Sequence, residues 1–279
     1  MKTRTRFWKA SHIILLFILS LSFLFPLYWM LITSFKLEHE NSLWPPTMWP
    51  EKFTLENYVS ILAHPEDTPL FSWFKNSFIA AASYSVLSVI ISLLAGYALA
   101  RMTFWGRKLY LTLLLIALTI PGIILIIPSF IVVDFLGWTN SLKAIIFPAL
   151  SGTFGVLLFY QFLSKFPKDL EEAAVIDGAS NFRILISIIV PHTKPLMLTL
   201  LILNFMGNWN DYFWPFITLY SPSMRTMPVG MATLQGRFEH FYGIMTAGGV
   251  LMAVPSIILF ILVQKYYIKA ITLTGAIKE

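Results

Sequence analysis

The sequence contains no cysteine and few charged residues. Without cysteine, disulfides, thiolate-ligated zinc and thiol catalysis are excluded. Charged residues make up 12% of the chain, whereas a soluble domain averages about 25%, so the chain lacks the groups needed to cover a water-facing surface. Hydrophobic residues make up 57%, and the mean hydropathy is +0.73. Because lipid offers no partner to exposed backbone groups, we predict an all-α integral membrane protein.

Two chemical signatures are also missing. No stretch matches G-x-x-x-x-G-K-[ST], so there is no loop to cradle the phosphates of ATP, and the chain alone is not expected to hydrolyse ATP or to be an enzyme. The five histidines are dispersed at loops and span ends, and no His/Glu/Asp group has the spacing of a metal or catalytic site. We predict no metal and no cofactor bound by this chain.

Six apolar runs are long enough to cross a bilayer, whose core of about 30 Å needs roughly 20 helical residues. They are His12–Phe35, Trp73–Ala100, Leu109–Leu136, Ala144–Leu163, Leu196–Leu219 and Tyr242–Tyr266. The first run follows a basic start, as in a signal peptide, but it is longer than a usual signal core and no A-x-A pattern follows, so we expect it to be retained. In the third run, Pro121 and Pro128 are expected to bend the helix.

The distribution of lysine and arginine predicts the orientation. Fourteen of the 20 lie in the two ends of the chain, in the connection after the second run (Arg101, Arg107 and Lys108) and in the connection Lys165–Pro195. In the predicted topology these segments share one side of the membrane, and the other six residues lie on the opposite side. Both termini are therefore expected in the cytoplasm: residues 1–11 as an N-terminal segment, 12–266 as the membrane domain with an outer loop at 36–72, and 267–279 as a tail. The net charge of +6 is a topology signal, and we predict no nucleic-acid partner.

The long outer loop contains an amphipathic pattern. Leu55, Tyr58, Val59 and Leu62 recur at helical spacing, and Thr54 can cap the start. A short helix here is expected to serve either as a lid packed on the bundle or as a contact for an external partner.

The fifth run carries the stretch GNWNDYFWP at Gly207–Pro215. Asn208, Asn210 and Asp211 are expected in the outer half of the bilayer, and polar groups at that depth usually face the protein interior or a water-filled path. Two interpretations remain open. With Trp209 they line a path for a hydroxyl-rich solute, or they form an inter-helix hydrogen-bond cluster that stabilises the bundle.

The cytoplasmic connection Lys165–Pro195 reads as two short helices. Pro167 suits a helix beginning, and Gly178 is placed to end that helix. Ser180 can cap a second helix, which Pro191 is expected to stop.

The first of these helices is acidic at its start and narrow on one face. Asp169 and Glu171 lie in the first turn, where negative charge meets the positive end of the helix dipole. Leu170, Ala173 and Ala174 share a face that is small enough to enter a groove of a partner protein.

This connection resembles the signature loop of ABC importer permeases. The pattern EAA-x3-G-x9-I-x-[LV]-P is met by Glu172-Ala173-Ala174, Gly178, Ile188, Val190 and Pro191, with Val190 where leucine is usual. Further stretches resemble, in order, carbohydrate-type permeases related to the second pore subunit of maltose importers: FTLENY (Phe53–Tyr58), NSF (Asn76–Phe78), AGYALAR (Ala95–Arg101), EEAAVIDGAS (Glu171–Ser180), WNDYFWP (Trp209–Pro215) and TGAIK (Thr274–Lys278). The tail departs from the pattern, because Ala270 replaces a glycine and the chain closes with GAIKE.

The resemblance implies a six-helix pore subunit with the type I importer fold in a bacterial or archaeal cytoplasmic membrane. Its implied partners are a second homologous permease, two ATPase subunits that bind ATP and Mg, and an extracytoplasmic solute-binding protein. The residues implied to couple the pore to the ATPase are Glu171, Glu172, Ala173, Ala174, Asp177 and Gly178. Glu172 is the one that would meet a basic side chain of the ATPase.

The solute is the open question. A sugar, and within that class an oligosaccharide, suits the Asn- and Trp-bearing fifth run, while polyol and glycerol phosphate importers share the same pattern. An ion-coupled secondary transporter would need ionisable residues at mid-membrane and repeated halves with broken helices. Only Asp134 and Asp211 come near membrane depth, both toward the outer side.

Overall fold

The computed structural model describes the backbone of residues 2–63, 68–150, 152–237 and 241–276, and the side chains of 12–63, 68–150, 152–234 and 241–262. Within these ranges the regular structure is helical and no strand occurs. The α-helices are α1 Lys2–Ser34, α2 Glu38–Asn41, α3 Glu56–Ala63, α4 Leu70–Arg101, α5 Arg107–Ala117, α6 Ile126–Phe135, α7 Lys143–Ile146, α8 Thr153–Lys165, α9 Asp169–Ile176, α10 Asn181–Ile184, α11 Val190–Trp209, α12 Phe213–Thr218, α13 Met227–Arg237 and α14 Tyr242–Ala276.

The chain divides into two compact units. The first comprises Met1–Leu70 and Gly230–Pro255, and the second comprises Phe71–Val229 and Ser256–Glu279.

Three of the predicted runs form helices that are long and apolar enough to cross a membrane. They are His12–Ser34, Leu70–Arg101 and Tyr242–Leu262, which confirms the first, second and sixth runs. The last helix continues to Ala276, so most of the predicted tail at 267–279 is helical, while 277–279 lie outside the described residues.

The third predicted run, Leu109–Leu136, is broken. α5 and the segment Gly122–Phe135 meet at a bend of 103°, as in a broken span or a re-entrant loop. Pro121 stands at the break in an extended conformation (φ −61°, ψ 127°) and has no N–H with which to continue the helix. Pro128 lies in the first turn of α6, where the missing N–H is tolerated. The expected bend therefore comes from Pro121.

The fourth predicted run, Ala144–Leu163, is not one helix. After α7 the chain turns at Pro148 and Ala149, with Ala149 in the left-handed region (φ 62°), and α8 begins only at Thr153. With 13 residues, α8 is about 20 Å long, which is less than the hydrocarbon core. The described ranges thus hold four membrane-spanning candidates, or five with the bent pair, rather than the six predicted.

The fifth predicted run, Leu196–Leu219, is displaced toward the start of the chain. One helical span covers Asn181–Trp209, through α10, a π-helical turn at Leu185–Ile189 and α11. The prediction that Pro191 stops a short second helix is therefore wrong. The wider π turn precedes this proline, and such turns relieve the clash and the missing N–H that would otherwise break a helix.

In the first unit, α3 turns one polar and one apolar side chain inward, Asn57 and Ile61. Asn57 is buried and its Nδ2 donates to the carbonyls of Ser34 at 2.9 Å and Lys36 at 2.8 Å. A Cβ on Gly243 would lie 2.6 Å from the Asn57 amide, so only glycine fits there. The predicted apolar stripe is mainly outward, because Leu55, Val59 and Leu62 are exposed. The inward face of α3 thus combines apolar burial of Ile61 with a donor for two backbone carbonyls.

The first unit also buries two oppositely charged side chains in the segment after α1. Lys36 donates to the carbonyl of Thr47 and lies 4.8 Å from the centre of the Trp29 ring. Glu40 accepts from the Thr47 hydroxyl at 2.8 Å and from the backbone N–H of Glu51 at 3.0 Å. Burial lowers the pKa of Lys36 below its ordinary value, and the negative charge of Glu40 partly opposes that shift.

In the second unit, glycines let α4 and α8 approach closely. A Cβ on Gly96 would lie 2.5 Å from the Cβ of Phe159, and a Cβ on Gly155 would lie 2.5 Å from the Oγ of Ser92. Small residues at such crossings are typical of membrane helix packing. Gly96 belongs to the AGYALAR stretch at the end of α4, so α4 is held against α8 close to the connection Lys165–Pro195.

Candidate functional site

The helix expected to contact an ATPase is α9, and its end is well defined. Gly178 has φ +79°, its N–H donates to the carbonyl of Val175 at 3.0 Å, and the N–H of Ala179 donates to that of Ala174 at 2.9 Å. These two bonds form a Schellman motif, which favours glycine at this position. Ser180 then caps the next helix by accepting from the N–H of Arg183, so both sequence predictions about this turn are confirmed.

The two adjacent glutamates of α9 point in different directions. The Glu171 side chain is 12% exposed, and its Oε1 accepts from the Nε of Arg101 at 2.7 Å. Glu172 and Ala173 are exposed. Only Glu172 therefore presents a carboxylate to the surroundings from this pair.

The remaining residues of α9 divide between the same two faces. Ala174 packs against the core formed by α4, α8 and the helix after Ser180. Leu170, Ala173, Ile176 and Asp177 are exposed, so the expected face of Leu170, Ala173 and Ala174 is split, with Ala174 inside. The outward surface of α9 combines apolar groups with carboxylates, and it has room to contact a partner.

A second candidate site is a cavity of about 420 Å³ within the second unit. It is lined by Tyr84, Gly122, Leu125, Ile126, Ser129, Ile145, Pro148, Ala149, Leu203, Asn204, Gly207, Asn208, Asp211 and Trp214. Both breaks border this space, because Gly122 follows Pro121 and Pro148 and Ala149 form the turn after α7. Its volume lies in the range of small-molecule sites.

Hydrogen bonds hold several polar groups at the cavity. The Nδ2 of Asn204 donates to the hydroxyl of Ser88 at 3.1 Å. The backbone N–H of Trp214 donates to Asp211 at 3.4 Å, and the indole N–H of Trp214 donates to the carbonyl of Ala144 at 2.8 Å. The cavity wall is therefore braced, yet it keeps amide and carboxylate groups along its lining.

The structure separates the four residues predicted to line a solute path. Asn208 and Asp211 line the cavity. Trp209 is fully buried, stacks on Phe205 with ring centres 5.8 Å apart and packs edge-on against Phe74. Asn210 is exposed and its Nδ2 donates to the carbonyl of Met206. Neither Trp209 nor Asn210 is among the residues that line the cavity.

Sequence reasoning missed two residues at these sites. Asn204 lies four residues before Asn208 and seven before Asp211, a helical spacing that places all three on one face and could have identified it. Arg101 appears in the sequence only as the last residue of the AGYALAR stretch, and no local signal indicates its partner, because Glu171 is 70 residues away. Among the described residues, no group of three or more His, Asp or Glu side chains could hold a metal ion.

A helical chain with several membrane-crossing segments and a polar-lined cavity among its helices has the features of a transport permease. Comparison with known families agrees. Residues 88–272 match the model of the family described as binding-protein-dependent transport system inner membrane component. The chain belongs to this family, and it is accordingly a multi-pass membrane protein.

Individual relatives match most of the chain. It is 37% identical over 226 residues to the arabinooligosaccharides transport system permease protein AraQ of Halalkalibacterium halodurans, covering 81% of this chain and 80% of the relative. It is 37% identical over 259 residues to the trehalose/maltose transport system permease protein MalG of Thermococcus litoralis, covering 91% of each. A bacterial ABC transporter that imports the acidic polysaccharide alginate includes a chain with the same fold: the TM-score is 0.79 at 22% identity, over 94% of this chain and 97% of the other.

Proposed function

We propose that this chain is a pore subunit of an ATP-driven ABC importer that takes up a sugar, in particular an oligosaccharide, delivered by an extracytoplasmic binding protein. The observation that carries the proposal is the family match over residues 88–272, which contains α9 and every residue of the cavity lining except Tyr84. The permeases of arabinooligosaccharide and trehalose/maltose systems support the solute class.

In this proposal, α9 is the contact for a partner ATPase. The exposed carboxylate of Glu172 would pair with a basic side chain, while Ala173 keeps the outward surface narrow enough to enter a groove. Asp177 and Gly178 complete the turn that ends the contact helix. ATP and Mg would be bound by two ATPase subunits, and a second homologous permease would complete the pore.

The cavity is proposed as part of the solute path. Asn204 and Asn208 offer amides, Tyr84 and Ser129 offer hydroxyls, and Asp211 offers a carboxylate, a set that hydrogen-bonds neutral hydroxylated solutes. The described lining contains no lysine or arginine, which would be needed to hold a phosphate. A sugar therefore suits the cavity better than glycerol phosphate.

The orientation is proposed from the positive charges. The lysine and arginine excess favours the cytoplasm for both termini and for α9, where an ATPase would have to be. The cavity-lining end of the span Asn181–Trp209 then lies toward the outside, where a binding protein delivers its cargo.

The ATPase contact is tested by Glu172→Arg, with Glu56→Arg as the matched control, because Glu56 is also an exposed glutamate on a short helix. We expect Glu172→Arg to lose the ATPase subunits during affinity purification from membranes and to lose uptake, while Glu56→Arg keeps both. Retention of the ATPase by Glu172→Arg at the level of the control would refute the proposed contact.

The solute path is tested by Asn208→Ala, with Asn210→Ala as the control, because both are asparagines at the end of α11 but only Asn208 lines the cavity. Loss of one hydrogen bond to a neutral solute is worth about 1 kcal/mol, so we expect the apparent affinity for the transported oligosaccharide to fall about fivefold in Asn208→Ala alone. Equal uptake by both variants would favour a purely structural role for this face.

A further inference from the structure

One ion pair ties the proposed coupling helix to a membrane span. The Nε of Arg101, the last residue of α4, donates to the Oε1 of Glu171 at 2.7 Å, and its terminal N–H₂ group donates to the carbonyl of Phe166 at 2.9 Å. The guanidinium therefore joins α4, the residue that follows α8 and the first turn of α9.

The pair is shielded from water. Its two side chains are 8% exposed at Arg101 and 12% exposed at Glu171. Exposed ion pairs contribute little because solvent screens them and the side chains remain mobile. A shielded, charge-assisted pair with a second hydrogen bond on the same guanidinium is held in one geometry.

The surroundings of the pair are packed. Phe166 packs against the core that includes Tyr97, one turn before Arg101, and Leu163, one turn before Phe166. Ala174, one turn after Glu171, packs against the same core. α9 therefore contacts a core that it shares with α4, and the ion pair at Glu171 connects it to α4 directly.

We propose that Arg101 and Glu171 are positioning residues that transmit movement of the ATPase contact helix to the span α4. This inference rests on the proposed function of α9. Adjacent glutamates then have separate tasks: Glu172 contacts the partner, and Glu171 connects α9 to the pore. Breaking the pair leaves the outward carboxylate of Glu172 in place but lets α9 move without α4.

The test uses the assembled complex of this chain with its partner permease, its ATPase subunits and its binding protein in proteoliposomes. Uptake per ATP hydrolysed is measured for Arg101→Met, Glu171→Gln, Arg101→Lys and the exchange Arg101→Glu with Glu171→Arg, and retention of the ATPase is measured in parallel. We expect the two neutral variants to retain the ATPase and to lower uptake per ATP by about tenfold, within the usual range of coupling between sites. Arg101→Lys should recover only part, because lysine keeps the charge but cannot reproduce the two-pronged guanidinium contact.

A spectroscopic readout makes the test independent of transport. The chain has no cysteine, so a spin label on Ile176→Cys, a site that is 86% exposed at the end of α9, reports this helix alone. We expect the label to become more mobile in Arg101→Met and Glu171→Gln, and to regain its restricted motion in the exchange variant. The exchange variant also serves as the test if one of the single variants assembles poorly.

The outcomes separate this inference from the proposed function. Parental uptake per ATP with unchanged label mobility in the neutral variants would overturn the positioning role. Loss of the ATPase from Arg101→Met to the same degree as from Glu172→Arg would also overturn it, because the pair would then belong to docking itself. Failure of the proposed function is a different result, namely retention of the ATPase by Glu172→Arg.

Discussion

The contact between α4 and α8 offers a quantitative test of the packing. In Gly155→Ala, the new methyl group would lie 2.5 Å from the Oγ of Ser92, 2.9 Å from the Cδ2 of Leu200 and 3.0 Å from the Cβ of Ser92. Carbon atoms in contact normally lie about 3.5–4.0 Å apart, so the overlap approaches 1 Å. The end of the leucine side chain can turn away, but the serine Cβ is fixed to the backbone of α4, and the helices must separate.

Overpacking of this kind costs about 1–3 kcal/mol, and we expect the value to lie in the upper half of this range because two of the three contacts are made by one immobile residue. Adding Ser92→Gly removes both of those atoms, so the double variant should recover most of the loss. The oxygen that is removed is buried and has no hydrogen-bond partner among the described residues, so its loss adds no unsatisfied group.

The assay is thermal denaturation of the purified protein in detergent, followed by size-exclusion chromatography with fluorescence detection. Gly207→Ala is the matched control, because no atom lies within 4 Å of a Cβ at that helical position, and alanine favours a helix over glycine by about 1 kcal/mol. It should be as stable as the parent or more stable. A Gly155→Ala protein as stable as Gly207→Ala, or no recovery on adding Ser92→Gly, would refute the close contact of α4 with α8.

Three further variants or conditions probe other features. Gly178→Ala meets no atom within 4 Å but must adopt φ +79°, so we expect a loss of about 1–2 kcal/mol and weaker ATPase retention, measured by affinity purification; unchanged retention would argue against the ordered turn. Asn204→Leu removes the bond to Ser88 and one cavity amide, so uptake should fall while ATPase retention stays; parental uptake would exclude this wall from the path. Because burial lowers the pKa of Lys36, the unfolded state holds that proton more tightly than the folded state. Thermal stability should therefore rise as the pH increases toward the ordinary lysine pKa of 10.5, and Lys36→Met should lose this dependence on pH. A dependence unaltered by the substitution would contradict the burial of this amine.

The sequence predicted the spans best where apolar runs were uninterrupted. α1, α4 and α14 lie where the runs place them, because long apolar segments without breaks have one way to satisfy their backbone in lipid. The effect of a proline depended on its position, since Pro26 and Pro255 lie inside α1 and α14 without ending them. Pro121 breaks a helix, whereas Pro191 is carried inside one because a π turn precedes it, and no local residue pattern announces a π turn.

The residue types of the candidate site were predictable, but the direction in which each side chain of α9 and α11 points was not. Pro167 and Gly178 bracketed α9 in the sequence, but the helix begins two residues after this proline, at Asp169, and ends before the predicted turn. Which of two adjacent glutamates turns inward depends on Arg101, which is far away in sequence. Likewise, GNWNDYFWP predicted one polar cluster. In the structure α11 ends at Trp209, whose ring lies in the core, while Asn208 and Asp211 line the cavity.

The most direct test of the central claim is the accessibility of α9. With Ile176→Cys as the only cysteine in the chain, a membrane-impermeant thiol reagent is applied to membrane vesicles of known orientation, with the ATPase subunits bound and after they have been stripped away. We expect labelling from the cytoplasmic side only, suppressed while the ATPase is bound and restored when it is removed. Labelling from the outer side, or equal labelling with and without the ATPase, would contradict a cytoplasmic ATPase contact at α9.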